Sequence, residues 1–265
     1  GLKDVKLSRV FFSGAVMWSG CFIFSLLRTF LGGYTGPILA HEKLGLGPIL
    51  RWSLGYPHPN VLHVTYVIIS AFILYLWNQK KGRGQWTITL LLLLGNIYIF
   101  VYSVSFTGFL LMMVLLIFNL YLSGREKLNR VENILLQSIF PFCILFSVVG
   151  PIVIDGDSRL FQFLTNALNS RYSATKIYIR ELGITWWGAE VPSLHGFAVD
   201  CSYTWALLSY GCVFFLLIVI GYLFTINQLM KNRQWTELAI VLALLVAGIS
   251  EPFLFNTSFK NITVL

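Results

Sequence analysis

Apolar residues in this chain fall in long unbroken runs, with none of the strict alternation of a half-buried strand. Runs of about 18 or more such residues predict membrane-spanning helices. About seven are present: Val10–Leu31, Asn60–Trp77, Gln85–Tyr102, Thr107–Leu122, Asn133–Ile154, Thr204–Ile226 and Trp235–Phe255. The alternating ten-residue strands of a membrane β-barrel are not seen. The pattern predicts an all-α, polytopic transmembrane bundle, a single integral membrane domain over residues 1–265 with no internal repeat.

Two polar stretches interrupt the runs. Gly32–Pro59 is rich in Gly and Pro and is expected to be a loop; it carries His41, Glu42, Lys43, Arg51 and His58. Asp155–Tyr203 is longer, and loops beyond roughly 15 residues are uncommon unless functional or disordered. Leu160, Phe161, Trp186, Trp187 and Phe197 give it material to bury, so it reads as a folded, partly helical loop. Asp157 or Ser158 caps a predicted interfacial helix over Arg159–Asn169, whose apolar positions 160, 161, 163, 164 and 168 share a stripe. A second helix is expected over Ser173–Leu182, capped by Ser173 and stopped by Gly183. It would set Lys176 and Arg180 one turn apart.

Composition agrees. The chain is 57% hydrophobic and 11% charged, against about 25% charged for a soluble domain. Its net charge of +8 raises the question of nucleic acid, but the basic residues concentrate in short loops between spans. The N-terminal segment and the loops at 79–85, 123–132 and 227–234 hold about 11 Lys/Arg in about 34 residues, against about 7 in about 95 on the other side. The dense side is therefore expected to be cytoplasmic and the large loop, 155–203, extracytoplasmic; no nucleic-acid partner is expected. Cys21, Cys143, Cys201 and Cys212 show no CxxC or metal spacing.

Candidate chemistry gathers on the outer face. Arg171, Lys176 and Arg180 are either a solvated helix face touching anionic headgroups or a clamp for a phosphate-bearing group, which guanidinium binds bidentately. Arg51 would add to such a clamp from a second loop. His58 and His195 have the pKa range of a general base, although either is as readily structural. Asp200, just before an apolar run, is a capping acid on the ordinary reading. With no HExxH, DxD, GxSxG or metal-spaced His/Cys, neither metal nor cofactor is expected.

Several of these stretches resemble a family. Arg51-Trp-Ser-Leu-Gly-Tyr-Pro-His-Pro-Asn60 is similar to the R-x-S-x-G-x-x-H-P-N stretch of bacterial polysaccharide repeat-unit polymerases of the Wzy type, relatives of the O-antigen ligases. Tyr102–Phe109 resembles a segment that in many relatives reads T-x-S-R-T, with Phe106 where the arginine often stands. Asn169-Ser-Arg171, Gly183, Asp200-Cys-Ser-Tyr203, Tyr210-Gly211 and Ile249-Ser-Glu-Pro252 resemble marks around the family's large outer loop and last helix. The resemblance implies a metal-independent membrane glycosyltransferase of the bacterial cytoplasmic membrane. It would polymerise undecaprenyl-pyrophosphate-linked repeat units into capsular, exo- or O-antigen polysaccharide. Donor and acceptor would both be lipid-linked oligosaccharides, and a flippase and a chain-length regulator are implied partners. Arg51 and Arg171 map to the family's loop arginines and Asp200 to its acidic loop-end residue. Ligase-like transfer and transport are the alternatives. Family members usually have more spans, and with Gly1 in place of Met, N-terminal helices are expected to be missing from this chain.

Overall fold

The computed structural model describes residues 7–42, 48–79, 84–194 and 199–255, which are mostly helical. Five helical runs are long and apolar enough to cross a membrane: Leu7–Phe30, Pro59–Gln79, Gln85–Ser103, Arg130–Val153 and Ser202–Lys231. Phe106–Leu122 and Trp235–Ala247 are shorter apolar helices. The last predicted run is thus longer than its helix. The chain leaves the helix after Ala247, and turns carry it through Phe253–Phe255, whose side chains are buried. Two compact units emerge, one up to Ser123 and one from Gly124 onward; each is described by itself.

The first unit consists of α1 (Leu7–Phe30), β1 (Ile38–Glu42), β2 (Pro48–Trp52), α2 (Pro59–Gln79), α3 (Gln85–Ser103) and α4 (Phe106–Leu122). Helix α2 is its axis, packing against α1, α3 and α4, with Leu62, Ile68 and Leu74 fully buried. Phe11 of α1 meets Phe72 and Tyr75 of α2 at ring separations of 5.3 and 4.1 Å. On its other side α1 exposes Phe12, Met17 and Phe24, a surface suited to lipid rather than water. The segment expected to be an irregular loop contains an antiparallel hairpin, with Leu39 opposite Arg51 and His41 opposite Ile49. Both strands draw on the same tetrapeptide, Gly-Pro-Ile-Leu, at 36–39 and 47–50. Its proline favours extended backbone and its isoleucine suits a strand.

The second unit contains α5 (Arg130–Ile144), a π-helical turn (Leu145–Val149), α6 (Gly150–Val153), α7 (Arg159–Ala167), α8 (Arg171–Leu182), α9 (Ser202–Lys231) and α10 (Trp235–Ala247). A capping box opens α5: Asn129 Oδ1 accepts from the Glu132 amide at 2.8 Å, and Glu132 Oε2 from the Asn129 amide at 2.7 Å. The π turn widens the helix so that the Gly150 amide donates to the Leu145 carbonyl, just before Pro151, which has no amide hydrogen to give. Ser158 caps α7, accepting from the Phe161 amide at 3.2 Å. Helix α8 begins at Arg171, two residues earlier than expected. Ser173 lies inside it and donates back to the Ser170 carbonyl at 3.0 Å; Gly183 ends it at φ 69°.

Helix α9 departs most from the pattern. It breaks at Gly211, where φ 79° and ψ 172° describe a conformation that essentially only glycine adopts. The groups released there are satisfied by a loop. The Cys212 and Val213 amides donate to the Thr185 and Trp186 carbonyls at 2.9 and 3.2 Å, and the Leu208 carbonyl accepts from Ala189 at 2.9 Å. Gly188 makes this approach possible, since a Cβ there would lie 2.1 Å from the Ser209 carbonyl oxygen. Residues 212–231 alone measure about 30 Å at 1.5 Å per residue, one hydrocarbon thickness.

Candidate functional site

The first unit holds a buried polar cluster around Arg51, which is only 4% exposed. Its Nε donates to the Ser103 carbonyl at 3.0 Å and Nη2 to Asn60 Oδ1 at 2.6 Å. Asn60 Oδ1 also accepts from the Ser105 hydroxyl at 3.0 Å. His63, fully buried, bridges Ser103 Oγ at 3.1 Å and Asn96 Oδ1 at 2.7 Å. The cluster ties β2 to the start of α2 and to the α3–α4 turn. That turn is strained: Val104 has φ 42°, unfavourable for a β-branched residue, and the bonds to its neighbours Ser103 and Ser105 hold it. Helix α4 reaches the cluster because Gly108 lies against the His63 ring, where a Cβ would come within 2.5 Å.

The Arg51–Asn60 stretch is thus a set of structural joints. Ser53 donates to the Pro37 carbonyl at 2.9 Å. His58 Nδ1 accepts from the Asn60 amide at 3.1 Å, and its carbonyl from the Leu62 amide, so His58 caps α2. With Nδ1 accepting, a neutral imidazole carries its proton on Nε2. Burial pushes the Tyr56 phenol up to about 12, the Ser25 hydroxyl acting more weakly the other way. Arg51 and His58 therefore sit in a scaffold, the guanidinium turned to Ser103 and Asn60.

The second unit brings two predicted site residues together. Arg171 Nε donates to Asp200 Oδ2 at 3.1 Å, with the arginine side chain 14% exposed and the aspartate 39%. Asn169 and Ser170 immediately before Arg171 have φ 54° and 66°, two successive left-handed residues that cost about 1–2 kcal/mol each without glycine. This turn fixes where α8 starts and hence where Arg171 stands. Asp200 is engaged with Arg171, while Cys201 takes the cap position of α9. The N-terminus of α9 is fastened by Ser202, whose amide donates to the Gly248 carbonyl at 2.9 Å and whose hydroxyl donates to the Glu251 carbonyl.

A small cleft lies beside Arg171, lined by Phe146, Ser147, Tyr172, Thr175, Cys201 and Ile249 among others. The Tyr172 hydroxyl is buried without a hydrogen-bond partner, and the buried Ser147 hydroxyl meets only the Cys201 thiol. Burial raises the Tyr172 phenol and the Cys201 thiol above their ordinary values, so both stay protonated near neutrality. Lys176 leaves the expected basic group: Nζ donates to the Ile154 carbonyl at 2.9 Å and lies 4.8 Å from the centre of the Phe161 ring. Arg180 is exposed on the last turn of α8, where a cation suits the helix dipole. His195 lies outside the described residues.

Sequence reasoning gave no role to His63, Ser103 or Ser105 in the first cluster, although both serines fall in the Tyr102–Phe109 stretch that carries the resemblance, and it did not reach Ser147 or Tyr172 in the second. A polar residue within an apolar run is the signal for His63 and for Ser147. Nothing in the residue order marks Tyr172. Among the described residues no group of three or more His, Cys, Asp and Glu could hold a metal ion. Comparisons with family models, with curated proteins and with solved structures return no match.

Proposed function

We propose that the chain is a membrane glycosyltransferase that polymerises undecaprenyl-pyrophosphate-linked repeat units into capsular, exo- or O-antigen polysaccharide on the outer face of the bacterial cytoplasmic membrane. The observation that carries this reading is the Arg171–Asp200 pair, held at a cleft by a strained turn in the long polar segment between apolar helices. In the proposed reaction an acceptor hydroxyl attacks the anomeric carbon of the donor glycan. The new glycosidic bond forms, the bond to pyrophosphate breaks, and undecaprenyl pyrophosphate leaves with the electron pair. Arg171 stabilises the charge on that leaving group. Asp200 orients Arg171 and receives the acceptor proton; His195 is the other candidate for that step. Arg51 and His58 hold the framework.

The break in α9 favours a second reading, a transporter, since discontinuous helices line transport sites. Against it, the groups released at Gly211 are bonded to the Thr185–Ala189 loop. Gel analysis of glycan from cells carrying Arg171→Ala as their only copy separates the readings. Polymerisation predicts collapse to single repeat units. A normal ladder retained on its lipid carrier means ligase-like transfer. A normal, correctly delivered glycan removes Arg171 from the chemistry.

A further inference from the structure

Buried hydroxyls in folded proteins nearly always have a partner, and each exception calls for an explanation. Two exceptions here share one cleft. Ser147, 4% exposed, and Tyr172, 3% exposed, both line it beside Arg171; the Tyr172 hydroxyl has no hydrogen-bond partner, and Ser147 meets only the weak Cys201 thiol, with no oxygen or nitrogen partner. Their positions follow from local backbone. Ser147 lies in the π-helical turn Leu145–Val149, a feature frequent at functional sites. The Tyr172 hydroxyl is pressed against that same helix at Gly150, where a Cβ would fall 2.2 Å from it. Its ring is wedged between Phe146 and Phe161 at centroid separations of 5.5 and 5.4 Å, so it is not free to turn toward water. Tyr172 also directly follows Arg171 and the two left-handed residues. The cavity volume is about 10 Å³, room for about one water-sized group.

We propose that this cleft is a subsite for a single oxygen of an anionic group, a phosphoryl or a carboxylate oxygen. The Ser147 and Tyr172 hydroxyls donate to that oxygen and Arg171 supplies the positive charge. Asp200 takes only Nε of Arg171, which leaves the remaining guanidinium donors for a ligand acceptor, and a cation would be repelled by them. An anionic oxygen takes all three donors at once. The inference deepens the proposed function by adding two binding residues to Arg171, but the subsite stands on the orphaned hydroxyls whichever reaction the protein performs. Two sources present such an oxygen: the pyrophosphate of a lipid carrier and the carboxylate of an acidic sugar.

The test uses the purified full chain in lipid nanodiscs and reads thermal stability with and without probe. Inorganic pyrophosphate and glucuronate serve as probes, and Ser147→Ala and Tyr172→Phe as variants. Removing an unsatisfied buried hydroxyl costs nothing in the empty protein, so both variants should match or exceed the parent's melting temperature. The parent should be stabilised in a dose-dependent manner by at least one probe. The variants should need about tenfold or more probe for the same shift, as expected for a lost hydrogen bond to a charged group. A response to pyrophosphate assigns the oxygen to the carrier, and a response to glucuronate alone assigns it to the glycan; either upholds the subsite. No response to either probe in the parent overturns it. So do variants that melt lower when empty and respond like the parent, because the hydroxyls would then be serving an internal water. Failure of polymerisation in cells together with intact probe binding would sink the polymerase reading and leave the subsite.

Discussion

Arg51 and Arg171 look alike in the sequence: each sits in a polar loop beside an apolar run, with serine and asparagine nearby. The structure gives them opposite characters. Arg51 is buried and turned inward to Ser103 and Asn60, in a cluster where histidine, asparagine and serine bond one another. Arg171 has one carboxylate partner at a partly open position, and two hydroxyls lining the cleft beside it lack an oxygen or nitrogen partner. A saturated polar cluster rigidifies a fold; one with donors to spare is prepared for a ligand. On the proposed function, arginines that sequence reasoning joins into one clamp divide into a joint and a contact.

The largest effects should come from breaking the scaffolds. Gly211→Ala places a Cβ 2.2 Å from the Gly188 amide nitrogen in a backbone region closed to alanine. It should cost about 3 kcal/mol or more, read as a sharp fall in the fraction of chain that stays monodisperse in detergent. Arg51→Ala strands the Ser103 carbonyl, leaves Asn60 Oδ1 with the Ser105 hydroxyl alone, and should cost about 3 kcal/mol. Arg51→Lys should not rescue it, because an ammonium cannot reproduce the Nε and Nη2 directions. Arg171→Ala should change melting by about 1 kcal/mol or less, since Asp200 is 39% exposed and such pairs are screened. Its effect should appear in glycan length instead.

A smaller effect concerns pH. The folded Tyr56 phenol is raised from 10.0 to about 12, so the folded state holds the proton more tightly than the unfolded chain. Stability from this group is full below pH 10 and is lost as pH rises from about 10 through about 12. Tyr56→Phe should flatten that stretch of a stability-against-pH curve; an unaltered curve would place the titration elsewhere.

Much of the helical layout was legible because membrane spans write their length directly into apolar runs: α2 and α3 begin and end within about two residues of expectation. What failed depends on backbone events that composition hides. The Gly211 break lies inside an uninterrupted apolar run, and only the paired glycine at 188, far away in sequence, reveals its purpose. The hairpin at Ile38–Trp52 was masked by glycines and prolines that usually mean loop. At the site, Arg171 and Asp200 were both singled out, though their pairing across 29 positions was not. The cap position of α9 is held by Cys201, whose side chain makes no capping bond, so Asp200 does not take the capping role first given to it. Lys176 was grouped with Arg180 by helical spacing, yet its flexible stem turns it to the Ile154 carbonyl. Spacing orders Cβ positions, whereas a lysine ammonium goes where an acceptor is.

Whether Arg51 builds the fold and Arg171 serves the reaction is decided by placing Arg51→Ala and Arg171→Ala side by side. Folded protein in the membrane and glycan length would be measured on the same cells. Arg51→Ala should lose folded protein, its ladder fading in proportion. Arg171→Ala should keep its protein while the ladder collapses to single units. A full-length ladder from Arg171→Ala at normal protein level would contradict a role for Arg171 in the reaction.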